Sequence, residues 1–288
     1  ISMLGYIGYK ILEFIAIATP YSITYFIAKV GARLWILTGA KVKIIRNNVS
    51  KVLNLNINDK EVYRIANRIF INWAKNVVDF LKHPIISKEK LKQRIEIEGL
   101  ENLDNALKKG RGAVIISAHI GNFEWGACRI AVEGYKIWVL SLVRKNRLVR
   151  KFFESNRLSK GLKTLYINRM LNVFRMLKNN EIVAIASDWD PTGQATRPFK
   201  FFGKTAYLPT GALMIALKSG AQLIPCFVYK KDKYNHFLTV EKPIDLIRKG
   251  DRETLINKNM EKVLEVMEKY IRNNISEWEM FHDIWSEK

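Results

Sequence analysis

Apolar residues recur at helical spacing through Val62, Ile65, Ala66, Ile69, Phe70, Trp73, Val77 and Phe80. That period predicts an amphipathic helix, with Asp59 as its N-cap and His83-Pro84 as its end. From Ile95 onward the texture changes. Short β-branched runs predict strands near 94–98, 113–118, 136–142, 182–187 and 222–230, with a further one near 236–241. Helical patterns fall between them, near 101–109, 123–133, 146–159, 168–178 and 209–219. A long amphipathic helix near 252–273 closes the chain. Strands alternating with helices predict an α/β fold, a mostly parallel sheet with flanking helices. The expected organisation is an apolar anchor over 1–40, a helical region over 41–92 and an α/β domain over 93–288. Residues 188–208 form the longest gap between expected elements, and loops of that length are usually functional. The chain has no internal repeat and no low-complexity tract.

The N-terminus departs from this rhythm. Residues 11–28 read ILEFIAIATPYSITYFIA, almost wholly apolar and broken mainly by Glu13 and by Pro20. Lys29, Arg33, Lys41, Lys43 and Arg46 follow. Basic residues after the run, with no small-residue cleavage site, do not match a cleaved signal peptide. The run is long enough for a membrane span, yet Glu13 and Pro20 favour a helical anchor lying in the interface equally well. A buried helical hairpin is the third reading. The positive flank predicts that the following domain lies on the cytoplasmic side.

Composition narrows the function classes. The chain has 288 residues, is 48% hydrophobic and carries a formal net charge of +21. It can bury a large core and is not a disordered segment. Its charge reads as a generally basic surface of a Lys-rich chain, as a nucleic-acid surface, or as a surface for an anionic membrane with a phosphorylated or acidic lipid. The apolar N-terminus and the lack of a nucleic-acid motif favour the lipid readings and predict no nucleic-acid partner. Cys128 and Cys226 lie far apart in apolar contexts and are expected to be buried free thiols. His83, His236 and His282 show no metal-ligand spacing, so neither metal nor cofactor is expected.

Ala113–Gly126, AVIISAHIGNFEWG, carries the candidate chemistry. Val114-Ile115-Ile116 reads as a buried strand. It delivers His119 to the strand's carboxyl end, where open α/β sheets bind ligands. Gly121-Asn122 forms a turn, Asn122 is a good N-cap, and Glu124 falls in the first turn of the next helix. An imidazole held by Glu124 is the minimum equipment for general-base catalysis. A second element is cationic: Arg144, Lys145, Arg147, Arg150, Lys151, Arg157, Lys160, Lys163, Arg169, Arg175 and Lys178 face only Glu154. It reads as a solvated basic face or a landing surface for anionic groups. Lys160 and Lys163 read as peripheral surface charges. A third element is the loop from Asp188 to Gly203. Asp188 is a candidate for orienting an arginine, binding a sugar hydroxyl or capping a turn. Phe199, Phe201 and Phe202 suit the core, an apolar channel or contact with a bilayer.

The H-x-G-N-F-E segment resembles the motif of the late, or secondary, lipid A biosynthesis acyltransferases of the lauroyl/myristoyl type. The resemblance extends through Arg46-Asn47-Asn48-Val49 to Leu53, Asn72–Phe80, Val143-Arg144-Lys145-Asn146 and Asn156-Arg157-Leu158. It continues through Ser187-Asp188-Trp189-Asp190, Phe201-Phe202-Gly203 and Ser276-Glu277-Trp278. Two departures stand out. Trp189 occupies a position where the family usually has Gln or His. His282-Asp283-Ile284 stands where a His-Arg-Arg run is common, which bears on acceptor recognition.

The resemblance implies a glycerolipid-acyltransferase-like sheet and transfer of a fatty acyl group to a lipid hydroxyl. The donor would be an acyl carrier protein or CoA thioester. The acceptor would be an anionic lipid or glycolipid, a lipid A precursor first. A phosphatidylinositol-mannoside or lysophospholipid acceptor is the alternative, and a catalytically silent scaffold a further one. His119 would act as the base and Glu124 would fix its tautomer. Asn122, Arg144, Arg157, Asp188, Phe201 and Phe202 are the expected substrate-binding residues. Arg144, Arg157 or backbone N–H groups near Gly121-Asn122 are the candidates for the oxyanion. The G-x-S-x-G elbow is absent, so no acyl-enzyme is expected, and Ser117 is a remote alternative nucleophile.

Overall fold

The computed structural model describes residues 3–193 and 196–286. Gln194 and Ala195 of the long loop, and the first two residues of the expected anchor, lie outside the described residues. The apolar N-terminus forms two helices, α1 (Met3–Ala18) and α2 (Tyr21–Leu37). They are broken at Pro20, which has no N–H to continue a helix and sits at the N-cap of α2. The run 11–28 is therefore not one rod. Among the described residues no helix is long and apolar enough to cross a membrane. Both helices leave large apolar side chains exposed, among them Ile11, Phe14, Phe26, Ile27 and Leu34.

Helices α3 (Val42–Leu53) and α4 (Lys60–Leu81) follow. Asp59 caps α4 as the spacing predicts, accepting from the Glu61 N–H at 2.7 Å. The apolar face of α4, with Val62, Ile69 and Phe70 buried, joins the same core as Val114 and Ile116 of the sheet. The short α5 (Lys88–Arg94) leads into the α/β portion: β1 (Ile95–Glu98), α6 (Glu101–Leu107), β2 (Ala113–Ser117), α7 (Phe123–Val132), β3 (Ile137–Ser141), α8 (Arg147–Leu158), β4 (Lys163–Tyr166), α9 (Leu171–Lys178) and β5 (Ile182–Ala186). A hairpin of β6 (Thr196–Phe201) and β7 (Lys204–Pro209) comes next. Then follow α10 (Gly211–Ser219), β8 (Gln222–Lys230), β9 (His236–Val240) and α11 (Arg252–Asn273).

Seven strands form one sheet in the order β1-β9-β8-β2-β5-β3-β4. Only the β8–β9 pair is antiparallel. β2 and β5 sit at the centre, covered on both faces, which is why they read as continuous apolar runs. Their register sets Ser117 opposite Ala186. Every residue just beyond those two ends is therefore brought to the same edge of the sheet.

Two features fall outside the expected elements. β4 is a short edge strand whose only fully buried residue is Leu165, so its sequence carries almost no apolar period. The long loop contains the β6–β7 hairpin, closed by Phe202-Gly203, both at positive φ. Such two-residue turns suit the twist of a hairpin.

Candidate active site

The parallel register of β2 and β5 builds the site. His119 lies two residues past Ser117, and Asp188 two residues past Ala186. The strands run about 4.8 Å apart, and the Ser187 N–H donates to the Ser117 carbonyl at 2.8 Å to extend the pairing. The Asp188 carboxylate therefore meets the imidazole: Oδ1 lies 2.7 Å from His119 Nδ1. Its other oxygen accepts the His119 backbone N–H at 2.9 Å and the Trp278 indole N–H at 2.9 Å. Asp188 is fully buried, while the His119 side chain keeps 29% of its surface exposed.

This arrangement corrects the expected pairing of His119 with Glu124. Glu124, in the first turn of α7, is taken by Arg157 of α8. The pair is bidentate, Nε to Oε2 at 2.9 Å and Nη2 to Oε1 at 2.5 Å. A fork of this kind fixes a carboxylate firmly. Asp188 in turn is neither a sugar ligand nor an arginine orienter; with no exposed surface it holds the ring. Burial disfavours the imidazolium, but the Asp188 carboxylate raises the His119 pKa above its ordinary value. Burial alone would raise Asp188, and His119 with the surrounding donors brings it below the usual carboxylate range. Glu124 follows the same pattern, pushed up by burial and brought down by Arg157.

The turn after His119 is built by contact with the C-terminal segment. Gly121 has φ +58°, and a Cβ there would meet the Val228 carbonyl oxygen at 2.1 Å, so only glycine fits. Its N–H donates to the Glu277 carbonyl at 3.0 Å, and the Glu279 N–H donates to the His119 carbonyl at 2.7 Å. The Gly121 N–H is thereby consumed and does not serve an oxyanion. Asn122 is also not a substrate ligand. It is buried, accepts the Trp125 N–H at 3.2 Å as the helix cap, and donates to Asp79 Oδ2 at 2.9 Å. Asp79 also accepts the Tyr25 hydroxyl at 2.6 Å. Burial pushes the Asp79 carboxyl up to about 7, against those donors. Burial likewise pushes the Glu279 carboxyl up to about 8, although Asn76 donates to it at 2.6 Å.

A cavity of about 960 Å³ opens at His119. Its lining includes Phe123, Arg144, Arg157 and Trp189, and also Ile130 of α7, Ile137 and Cys226. Gly126 lies on its wall, where a Cβ would meet Val228 Cγ2 at 2.1 Å. The walls are mainly apolar, with Arg144 and the partly exposed His119 among the polar groups. The Arg144 guanidinium lies 3.8 Å from the Phe153 ring centroid. Phe201 and Phe202 are not part of this cavity. Phe201 packs against Trp278 and Trp285 in the core. The Phe202 N–H donates to Glu268 at 2.5 Å. Lys160 is also not peripheral: it is buried and donates to the His83 carbonyl at 2.7 Å. Ser117 lines the cavity, and no base is directed at its hydroxyl among the described residues.

Sequence spacing missed three participants: Trp278 and Asp79, each beyond reach of any local motif, and Asp188 in its actual role. Only the strand register brings Asp188 to the ring. Among the described residues, no group of three or more His, Cys, Asp or Glu side chains is placed to hold a metal ion.

The arrangement can be set beside known proteins. The phosphatidylinositol mannoside acyltransferase of Mycobacterium tuberculosis is 29% identical over 152 residues, 49% of this chain and 47% of its own length. The protein of the same name from Mycolicibacterium smegmatis is 24% identical over 160 residues, 54% of this chain and 52% of its own. The chain thus spans about half the length of the curated relatives it matches. The crystal structure of the 1-acyl-sn-glycerophosphate (LPA) acyltransferase PlsC from Thermotoga maritima aligns at a TM-score of 0.41 with 16% identity, covering 88% of this chain and 98% of that one. The profile of one family, described as bacterial lipid A biosynthesis acyltransferase, matches residues 2–287. By that match over nearly its whole length, the chain belongs to the bacterial lipid A biosynthesis acyltransferase family.

Proposed function

We propose that the chain moves a fatty acyl group from an acyl thioester to a hydroxyl of a glycolipid at a membrane surface. One observation carries this reading: the Asp188-held imidazole of His119 stands at the mouth of a long, mainly apolar cavity. That juxtaposition suits a base acting on a group whose tail is buried. With Nδ1 hydrogen-bonded to Asp188, Nε2 is the nitrogen that takes the acceptor's proton. The freed oxygen attacks the thioester carbonyl. Asp188 stabilises the imidazolium that forms, and collapse of the tetrahedral intermediate expels the thiolate, which takes the proton. Arg144 at the mouth supplies positive charge near the developing oxyanion. Arg157 is committed to Glu124 and serves as a wall.

The exposed apolar faces of α1 and α2 support an interfacial placement, with the hairpin lying in one leaflet. We place the domain on the cytoplasmic face of the inner membrane, where acyl thioesters are available. Lys145 of the cavity lining, with Arg147, Arg150 and Lys151 in the following α8, suits either an acidic acyl carrier protein or the phosphates of CoA. A lipid A precursor fits the family. The phosphatidylinositol mannoside name of the curated relatives favours a second acceptor of similar chemistry.

The test is a transfer assay in neutral detergent, crossing both acceptors with acyl carrier protein and CoA donors, for wild type and His119→Ala. Transfer to one acceptor with wild type alone is expected. A folded wild-type chain that acylates neither acceptor from either donor, or a His119→Ala variant of full activity, would overturn the proposal.

A further inference from the structure

A second cleft, of about 360 Å³, lies between α2, α4 and the end of β8. Its lining includes four cations: Lys29, Arg68, Lys75 and Lys230. Glu277 is the lone acid there, and its carboxylate already accepts the Lys230 backbone N–H at 3.1 Å through both oxygens. None of the four cations makes an ion pair among the described residues. Lys230 Nζ donates to Asn72 Oδ1 at 2.5 Å, a neutral partner. Burial, with the repulsion of Lys233 and Lys29, lowers the Lys75 pKa. Burial also lowers that of Lys230, and Lys75 adds to it, against the Glu277, Asp79 and Glu279 carboxylates, which raise it. Like charges held together in a half-buried cleft destabilise the empty protein, and an anion of matching size offsets that cost.

Two features say which anion. The first is the neighbourhood. On α4, Asn76 donates to the Gly121 carbonyl at 3.0 Å, in the turn that follows His119. Asn72 stands four residues before Asn76, about one turn of 5.4 Å away on the same face, and Lys75 lies three residues after Asn72. The second is α2. Its exposed side carries Ile23, Phe26, Ile27, Val30 and Leu34. Lys29 lies on the border of that stripe, where a headgroup meets its acyl chains.

We propose that this cleft binds the phosphate of a lipid headgroup, held by Arg68, Lys75, Lys230 and Lys29, with the lipid's chains lying along the apolar face of α2. The site is separate from the His119 cavity. It deepens the reading of the chain as a lipid enzyme, and it rests on that reading only for why a lipid phosphate is at hand.

Binding is measured without an acyl donor, so it is decided independently of transfer. The full chain in neutral detergent is titrated calorimetrically with dihexanoyl phosphatidic acid, dihexanoyl phosphatidylcholine and sodium phosphate. The ionic strength is about 0.15 M, where distant charges are largely screened. Wild type should bind phosphatidic acid. Arg68→Gln with Lys75→Gln should weaken that binding about tenfold or more, the size expected for lost charge-assisted contacts. Lys108→Gln with Lys109→Gln removes the same charge at exposed positions beyond α6 and should change nothing. His119→Ala should bind normally, since its defect is confined to transfer. The Arg68/Lys75 variant should also unfold at a higher temperature than wild type when no ligand is present, because two repelling charges are gone. Four results would overturn the proposal. They are equal binding of free phosphate and phosphatidic acid, equal binding of phosphatidylcholine, equal losses in the two double variants, and loss in His119→Ala with retention in the Arg68/Lys75 variant. A chain that binds phosphatidic acid in this way but transfers no acyl group would refute the proposed function and leave the cleft standing.

Discussion

Asp188→Asn changes one atom type, and the structure dictates which way the new amide turns. The Oδ2 position receives two N–H donors, from the His119 backbone and the Trp278 indole. If the amide nitrogen were placed there, both donors would lose their acceptor. A buried donor without a partner costs about 1–3 kcal/mol, so that orientation is disfavoured by about 2–6 kcal/mol. The amide oxygen therefore takes the Oδ2 position, and the NH₂ group faces His119 Nδ1. An NH₂ donor makes Nδ1 the acceptor, and the ring's proton moves to Nε2. The nitrogen that should take the substrate's proton is then already protonated.

The loss therefore exceeds that of one charge-assisted bond. A turnover decrease on the order of 10³–10⁴-fold is expected, as for other bases held in the wrong tautomer, with KM little changed. Removing the carboxylate also removes what raises the His119 pKa, so the acid limb of kcat/KM shifts to lower pH. Nitrogen-15 spectra of the labelled ring report the tautomer directly. Glu124→Gln is the companion variant and should keep most of its turnover, because Glu124 does not touch the ring. A Glu124→Gln variant with the larger loss, and an Asp188→Asn variant within tenfold of wild type, would mean that the working ring is held from α7 after all.

Glu124→Ala leaves the Arg157 guanidinium buried without its partner, a loss of about 3–5 kcal/mol in chemical denaturation. Glu124→Leu with Arg157→Met should recover much of that stability, and equal instability in both variants would argue against a buried pair. Asp79 should make stability fall with rising pH. Its carboxyl holds its proton to about 7 in the folded chain against 3.8 as the ordinary value. The unfolded chain therefore releases its proton first, and between those values folding loses up to about 1.4 kcal/mol per pH unit. Asp79→Asn should flatten that slope in urea melts at pH 5, 6 and 7, and an unchanged slope would assign it to other groups. Cys226→Phe places an aromatic ring in the wall of the cavity and should shorten the preferred acyl chain in a competition between donors. An unchanged preference would mean that the acyl group does not reach it.

How far the sequence foretells this structure depends on whether a feature is local. The period of α4, the Asp59 cap and the two central strands are written in neighbouring residues, and they form as expected. β4 is not legible, because Lys163–Tyr166 is a four-residue edge strand with one fully buried side chain. The hairpin is not legible either: Phe202 accepts a positive φ that a bulky residue rarely adopts. Its signal is the single Gly203. At the site, His119 was visible at the end of its strand, while its partner was not. Glu124 is five residues away along the chain, whereas Asp188 is 69 away and adjacent only through the β2–β5 register.

The division of labour between the two carboxylates follows from where each is anchored. A carboxylate on the strand beside the histidine's own is held at a fixed lateral offset by backbone pairing, and it meets the ring edge-on whether or not substrate is present. A carboxylate in the first turn of α7 belongs to a helix that crosses the sheet, so its direction depends on what packs against that helix. Here Arg157 reaches it from α8. The favourable helix terminus and the guanidinium together hold Glu124 ionised. Glu124 thus secures the cavity wall between α7 and α8, and Asp188 secures the base. The consequence reaches the substrate: with Arg157 neutralised inside the wall, Arg144 and Lys145 are left as the arginine and lysine side chains of the cavity lining that make no ion pair among the described residues. A substrate group that carries or develops negative charge there meets these two first.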